Sequence, residues 1–227
     1  MEMTESAALW VSFTAAGCVL TYLCAACALP LQDAALTGID HAIGFDWLVW
    51  RNIVLASPAL HWALFLAYMG LMPEIVFSVL FFPAIGLGKR GIELLLLATL
   101  TLLPTALISA LCPALGPFAA FGGDEATYLP HLLALRAGGP WAFNLVSMQG
   151  IITMPSYHAV LALLFTYAYR GTGPIGWGIA GLNGFMLMSI PPIGGHYLVD
   201  LIGGGAIALL CVLGSRRRPF RGRTTPP

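Results

Sequence analysis

Long apolar runs, separated by short polar stretches, constrain this chain more than any other feature of its sequence. Hydrophobic residues make up 59% of its 227 residues, charged residues make up only 9%, and the mean hydropathy is +0.86. Soluble domains carry about a quarter charged residues, so this composition indicates a protein of the lipid bilayer. A helix needs about 20 apolar residues to cross the hydrocarbon core, and several of the runs reach that length. The sequence therefore predicts an all-α, polytopic membrane protein.

The runs predict a bundle of six transmembrane helices in one membrane-embedded domain, residues 1–215, followed by a basic cytoplasmic tail, residues 216–227. The predicted spans are about 7–29, 58–85, 92–115, 155–170, 175–190 and 196–214. Residues 30–57 mix acidic residues with tryptophans, which indicates an interfacial segment between the first two helices. We expect Pro73-Glu74 to interrupt the second span and Pro191-Pro192 to break the chain after the fifth.

The distribution of basic residues predicts the orientation of this bundle. With six spans, Lys89-Arg90, Arg170 and the basic tail fall on one side of the membrane, and the opposite loops carry only Arg51 and Arg136. Lys and Arg are retained preferentially on the cytoplasmic side. We therefore expect both termini in the cytoplasm, with a bacterial inner membrane as the location.

Two polar clusters stand where apolar runs begin, both on the predicted outer face. In the first, Pro155 suits the first turn of a helix, and Ser156, Tyr157 and His158 would follow at its N-terminus, where backbone N–H groups favour an anion. In the second, His196 precedes Asp200 by four residues, so that the carboxylate can orient the imidazole.

Either cluster alone would most often be a helix cap or a satisfied polar group. The two together indicate a functional site, because polar groups near a bilayer are costly. Two histidines, one of them backed by a carboxylate, can perform nucleophilic and acid–base chemistry on a phosphate ester.

The residues Pro155-Ser156-Tyr157-His158 resemble the Pro-Ser-Gly-His element of the type 2 phosphatidic acid phosphatase (PAP2) superfamily. Ser189 with His196 and Asp200 resembles the Ser-Arg-x5-His-x3-Asp element of the same superfamily. Both motifs look closest to the branch that contains inositol phosphorylceramide synthase-like phosphotransferases. The motifs cover the second half of the chain, and the expected six-helix layout covers all of it.

This resemblance implies a role for each matching residue. His196 would be the nucleophile that forms a phosphohistidine, and Asp200 would orient its imidazole. His158 would be the general acid for the leaving oxygen. Ser156 and the N–H groups around Tyr157 would hold phosphate oxygens. The substrate implied is a lipid phosphate, bound without a metal or another cofactor.

Two elements of the superfamily pattern are missing from this sequence. The Lys-x6-Arg-Pro element is absent, since Leu129 stands seven positions before Arg136, and Ile190 replaces the Arg of the third element. Phosphoryl transfer depends on cationic stabilisation, so we expect Arg136 to bind the phosphate, with His131 and Tyr128 as further candidates. The alternative for Arg136 is an interfacial residue whose guanidinium only reaches toward water. In that case the protein would be a weak enzyme or a non-catalytic relative.

Three functions remain open from the sequence. The leading one is an enzyme that hydrolyses or transfers the phosphate head of a lipid at the outer face, with water or an alcohol such as inositol as acceptor. A transporter or flippase would place ionisable residues at mid-span depth, where Glu74 is the main example. A metal-dependent hydrolase would use His158, His196 and Asp200 as ligands.

Other features of the composition exclude partners rather than identify them. A formal net charge of zero argues against nucleic acid. The five cysteines all fall in apolar runs, which indicates apolar packing rather than redox or metal chemistry. The partners expected are the bilayer and a lipid phosphate, and the oligomeric state is left open.

Overall fold

The computed structural model describes residues 3–122, 126–138, 142 and 148–217, and these residues form helices and no strands. In chain order the helices are α1 (Met3–Ala26), α2 (Asp33–Ala42), α3 (Trp47–Ala56), α4 (Pro58–Met69), α5 (Leu71–Ala84), α6 (Gly88–Leu111), α7 (Pro117–Phe121), α8 (Leu129–Arg136), α9 (Tyr157–Ala168), α10 (Pro174–Gly194) and α11 (Leu198–Arg217). The prediction of an all-α fold is confirmed.

Several of these helices have the length and apolarity of membrane spans. Among the described residues, α1, α6 and α11 each pass as a single span, and α3 with α4 passes as a pair bent by 112°. Helices α5 and α9 are apolar but shorter. The helices support a membrane protein, while the count of six spans stays a prediction.

The second predicted span is divided at Gly70 rather than at Pro73-Glu74. Gly70 keeps right-handed helical angles, φ −62° and ψ −18°, and its carbonyl accepts the N–H of Glu74 at 2.9 Å. Helices α4 and α5 are therefore joined by a single residue with helical geometry. Pro73 lies in the first turn of α5, where a helix has no use for the N–H that proline lacks.

Helix α10 runs through Pro191-Pro192 and ends at Gly194, so the predicted break at these prolines is wrong. A proline inside a helix leaves the carbonyl four residues earlier without its N–H partner. For Pro192 that carbonyl belongs to Met188, and the indole N–H of Trp50 donates to it at 3.3 Å. A side chain from α3 thus replaces one of the hydrogen bonds that the prolines remove.

Helix α3 also satisfies the C-terminal carbonyls of α10. The indole N–H of Trp47 donates to the Pro191 carbonyl at 2.7 Å, and the Arg51 guanidinium donates to the Pro192 carbonyl at 3.0 Å. The guanidinium lies over the rings of Trp47 and Phe118, at 5.4 and 4.8 Å from their centroids. The segment predicted to be interfacial forms two helices, α2 and α3. Helix α3 packs on α4 and α10, and α2 packs on α11.

Helix α9 lies at the centre of the bundle, in contact with α6, α10 and α11, and its apolar side chains form much of the main core. At its C-terminal end the Arg90 guanidinium donates to the carbonyls of Ala168 and Arg170, and Arg170 pairs with Glu93 at 3.0 Å. Basic residues therefore collect at the end of the bundle where α9 finishes. The N-terminus of α9, with His158, lies at the opposite end.

Candidate active site

The N-terminus of α9 is built around Ser156. This residue is the N-cap, with φ −70° and ψ 113°, and its Oγ accepts the N–H of Ala159 at 3.4 Å. Its own N–H donates to the Asp200 carbonyl at 3.0 Å, so the start of α9 is fixed to the first turn of α11. Pro155 precedes the cap instead of occupying the first turn, because Ser156 is the residue that can accept a first-turn N–H.

The second cluster lies between α10 and α11. Gly195 ends α10 in the left-handed conformation, and His196 follows it, two residues before α11 begins. The Nδ1 atom of His196 is 3.3 Å from Oδ2 of Asp200, which also accepts the N–H of Tyr197 at 2.9 Å. His196 is 4% exposed and Asp200 is fully buried. The contact expected from the spacing is present, although His196 lies just before the helix and not on it.

His158 and His196 line the same cavity, which has a volume of about 150 Å³. The imidazole of His158 stacks on the ring of Tyr68, with centroids 4.6 Å apart and planes 11° apart. A Cβ on Gly194 would lie 2.7 Å from Cε2 of Tyr68, so glycine at this position leaves the space that the tyrosine ring fills. Tyr68 was not predicted, because nothing distinguishes it within the apolar run of α4.

This cavity is lined by both polar and apolar residues. The polar part of the lining includes the two histidines and hydroxyl-bearing residues, among them Tyr68, Tyr128 and Thr153. Helices α1, α5 and α6 supply the apolar part, which includes Phe13, Leu71, Met72, Ile75 and Leu102. The side chain of Met72 is 56% exposed, so the apolar part reaches the surface of the bundle. This mixed lining suits an amphiphile with a polar head and a hydrocarbon tail.

A family model described as the PAP2 superfamily matches residues 34–214. This range includes both motifs and every helix from α2 to α11, apart from the first residue of α2 and the last three residues of α11. The chain belongs to the PAP2 superfamily. No curated protein and no solved structure matches it. PAP2 proteins are generally phosphoesterases, so membership suggests phosphatase or phosphotransferase activity. The more specific likeness to the inositol phosphorylceramide synthase-like branch stays a prediction.

Two tyrosines predicted to bind phosphate do lie at the cavity. The hydroxyl of Tyr157 donates to the Ala98 carbonyl at 2.7 Å, and the hydroxyl of Tyr128 donates to the Leu115 carbonyl at 2.8 Å. Burial raises the pKa of Tyr128 above its ordinary value. The hydroxyl therefore stays protonated. Thr153, which was not predicted, donates to the Ala114 carbonyl at 2.6 Å and also lines the cavity.

The other two predicted PAP2 phosphate ligands, Arg136 and His131, are not brought into this cavity. Both belong to α8, which packs on α1. The guanidinium of Arg136 donates to the Leu29 carbonyl at 2.8 Å, and Nδ1 of His131 is 2.5 Å from the hydroxyl of Tyr22. His131 therefore contacts α1 and Arg136 contacts the segment just after α1, which corrects the expectation that Arg136 supplies the missing cation. In the part of the chain that the structure describes, no Lys or Arg lines the cavity.

Within the described ranges, no group of three or more His, Cys, Asp or Glu side chains could hold a metal ion. The arrangement seen at the cavity is one histidine paired with a carboxylate and a second histidine stacked on a ring.

Proposed function

We propose that this protein transfers the phosphate group of a membrane lipid through a phosphohistidine on His196, with hydrolysis or transfer to an alcohol completing the reaction. The observation that supports this most directly is the shared cavity: His158 and His196 line it, and Asp200 contacts the second of them. Asp200 holds Nδ1, which leaves Nε2 of His196 to attack the phosphorus. As the P–N bond forms, the P–O bond to the lipid breaks and His158 gives a proton to the leaving oxygen.

The second half of the reaction reverses these roles. Water or an alcohol gives its proton to His158 and attacks the phosphohistidine, the P–N bond breaks, and neutral His196 is restored. Asp200 stabilises the imidazolium-like His196 in both halves, as a buried carboxylate does for other catalytic histidines. The first-turn N–H groups of α9, at Tyr157 and His158, supply the positive end of a helix dipole for the phosphate oxygens.

A second candidate within this chemistry is a head-group phosphotransferase that acts on a phosphodiester and makes a phosphoinositol lipid or a phosphosphingolipid. The observation that favours it is the absence of Lys and Arg from the described lining of the cavity. A monoester phosphate carries close to two negative charges at neutral pH, whereas a diester carries one. A site whose cationic groups are histidines and a helix N-terminus is better matched to the diester.

One experiment tests these proposals together. The purified protein is incubated with lipid phosphomonoesters and with inositol, glycerol and choline phosphodiesters, with and without free inositol or ceramide as acceptor. We expect release or exchange of a phosphate group, and an acid-labile phosphoprotein that His196→Ala does not form. Flux of lipid or solute without any bond cleavage would support the transporter instead. Activity lost with a chelator and restored by zinc would support the metal-dependent hydrolase.

We also propose that the cavity faces the outer side of a bacterial inner membrane, with six spans and both termini in the cytoplasm. Taking α4 and α5 as one span through Gly70 gives the six spans α1, α4–α5, α6, α9, α10 and α11. The basic cluster at the end of α9, opposite the histidines, supports this orientation.

Labelling of single cysteines tests the orientation. In a background without the five native cysteines, Leu133→Cys in α8 should react with an impermeant maleimide from outside. Lys89→Cys, at the start of α6, should react only after permeabilisation. The reverse pattern would place the cavity on the cytoplasmic side.

A further inference from the structure

Helix α2 presents two carboxylates on one face, at positions seven residues apart. Between them Leu36, which is 5% exposed, packs in a small core with Ala114 and Tyr197. The face that carries Asp33, Leu36 and Asp40 is therefore the face that contacts the rest of the protein. It packs against the segment before α7 and against the segment that follows His196.

Asp40 caps α11 from a distant part of the chain. Its two carboxylate oxygens accept the N–H groups of Leu198 at 2.8 Å and Val199 at 2.9 Å, and the side chain is 2% exposed. Helix caps usually come from the residue just before the helix. Here the cap lies 158 residues earlier in the sequence. Burial raises the pKa of the Asp40 carboxyl, against the opposing effect of the two N–H groups.

Asp33 connects the same region to the segment before α7. Its Oδ1 accepts the hydroxyl of Tyr197 at 3.0 Å and the N–H of Gly116 at 2.9 Å, and both oxygens lie within 3.1 Å of the Leu115 nitrogen. A Cβ on Gly116 would lie 2.7 Å from the Tyr128 hydroxyl, so this segment runs directly beside the cavity. Asp33 thus joins the residue after His196 to the segment that contacts Tyr128, which lines the cavity.

The segment that follows His196 is consequently held by three carboxylates. The N–H of Tyr197 goes to Asp200, the next two N–H groups go to Asp40, and the Tyr197 hydroxyl goes to Asp33. Because Asp40 already occupies the first N–H groups of α11, that helix terminus is not available to the phosphate. The N-terminus of α9 is then the helix terminus left for the anion.

We propose, on the basis of the phosphohistidine function above, that Asp33 and Asp40 are positioning residues that hold His196 in its attacking geometry. Neither carboxylate touches the reacting atoms; both act through the backbone of residues 197–199 and the Tyr197 ring. A misplacement of about 1 Å in an attacking group can cost about 100-fold in rate. The interfacial helix α2 therefore belongs to the catalytic unit, although it carries no residue of either motif.

The test compares Asp40→Asn with Asp46→Asn. Asp46 is a matched control, because it also lies in the segment between α1 and α4 and caps a helix, accepting the N–H of Val49 at 3.0 Å. We expect Asp40→Asn to slow single-turnover formation of phosphohistidine by about 100-fold with KM within about twofold of wild type. Asp46→Asn should leave that rate within about twofold. Amide hydrogen exchange over residues 195–199 should rise in the first variant and not in the second.

A weaker substitution keeps the test decisive if Asp40→Asn does not fold. Tyr197→Phe removes one hydroxyl, which contacts Asp33, and should slow phosphohistidine formation by about tenfold. Asp33→Asn should slow the reaction less in the Tyr197→Phe background than in the wild type, because both changes weaken the contact between Asp33 and Tyr197; only the part that depends on the Leu115 and Gly116 N–H groups remains. A wild-type protein that forms no phosphohistidine with any lipid overturns the proposed function and this inference with it. If the wild type forms phosphohistidine and both Asp40→Asn and Tyr197→Phe form it as fast as the wild type does, this inference alone is overturned.

Discussion

Substituting Gly195 by alanine tests how tightly the segment before His196 is packed. Gly195 has φ 68° and ψ 41°, a left-handed conformation that costs alanine about 1–2 kcal/mol. A Cβ at this position would lie 2.6 Å from Cε2 and 3.0 Å from Cγ of Phe118. The Phe118 ring is 2% exposed and packs edge-to-face on Trp47 with Arg51 above it, so it has little room to move.

Overpacking of this kind lowers the free energy of unfolding by about 1–3 kcal/mol. Together with the backbone strain, Gly195→Ala should therefore lower it by about 2–5 kcal/mol. Gly171 offers a matched control, since it also has a positive φ, 73°, but a Cβ there would meet nothing within 4 Å. Gly171→Ala should therefore cost only the conformational part, about 1–2 kcal/mol.

The free energy of unfolding in detergent micelles measures both variants, and lipid phosphate turnover is followed in parallel. We expect Gly195→Ala to be the less stable of the two by about 1–3 kcal/mol and to lose about 10–100-fold in kcat, because His196 is the next residue. Phe118→Leu in the same chain should recover part of the stability. Equal stability of the two glycine variants would refute the contact with Phe118.

Three further predictions concern the chemistry and the core. His196→Ala should abolish turnover and Asp200→Asn should reduce kcat by about 10⁴-fold, while the circular dichroism of both variants stays unchanged. A near wild-type rate in either variant would remove that residue from the mechanism. Turnover should survive EDTA and be inhibited by vanadate, whose five-coordinate form imitates phosphoryl transfer; loss with EDTA would contradict this. Glu74 accepts a hydrogen bond from Asn183 at 2.9 Å, and a glutamine can accept the same bond, so Glu74→Gln should leave the free energy of unfolding nearly unchanged. Asn183→Leu leaves the buried Glu74 without this donor and should lower the free energy of unfolding by about 1–3 kcal/mol.

The local parts of this structure could be predicted from the sequence, and the parts that depend on distant contacts could not. Apolar runs suffice for α1, α6 and α11, because a helix satisfies its own backbone groups. The contact between His196 and Asp200 is the one that their spacing predicts, although His196 makes it from just before α11. The continuation of α10 through Pro191-Pro192 could not be predicted, since it depends on indole and guanidinium donors from α3, some 140 residues earlier in the chain.

The predicted phosphate ligands show the same division. Ser156 and Tyr157 lie beside His158 in the sequence, and the structure keeps them at the start of α9. Arg136 was assigned by elimination, as the basic residue of the outer loop, and nothing in the sequence indicates which side of α8 faces the cavity. Its guanidinium donates instead to the Leu29 carbonyl, three residues after α1 ends. Tyr68 stacks on His158 from the last turn of α4, a position that only the packing of two helices defines.

The absence of Lys and Arg from the described cavity lining changes where binding energy can come from. A hydrocarbon tail that moves from the bilayer into the apolar part of the cavity leaves one apolar environment for another, so it gains little hydrophobic free energy. In the proposed mechanism the head group would be held by the N–H groups of α9 and by the two histidines, since no Lys or Arg is found in the described lining. Weak ground-state binding is compatible with fast transfer, because interactions made only in the transition state raise kcat. In the proposed mechanism the carboxylates of α2 make no contact with the phosphate and instead position the histidine that would attack it.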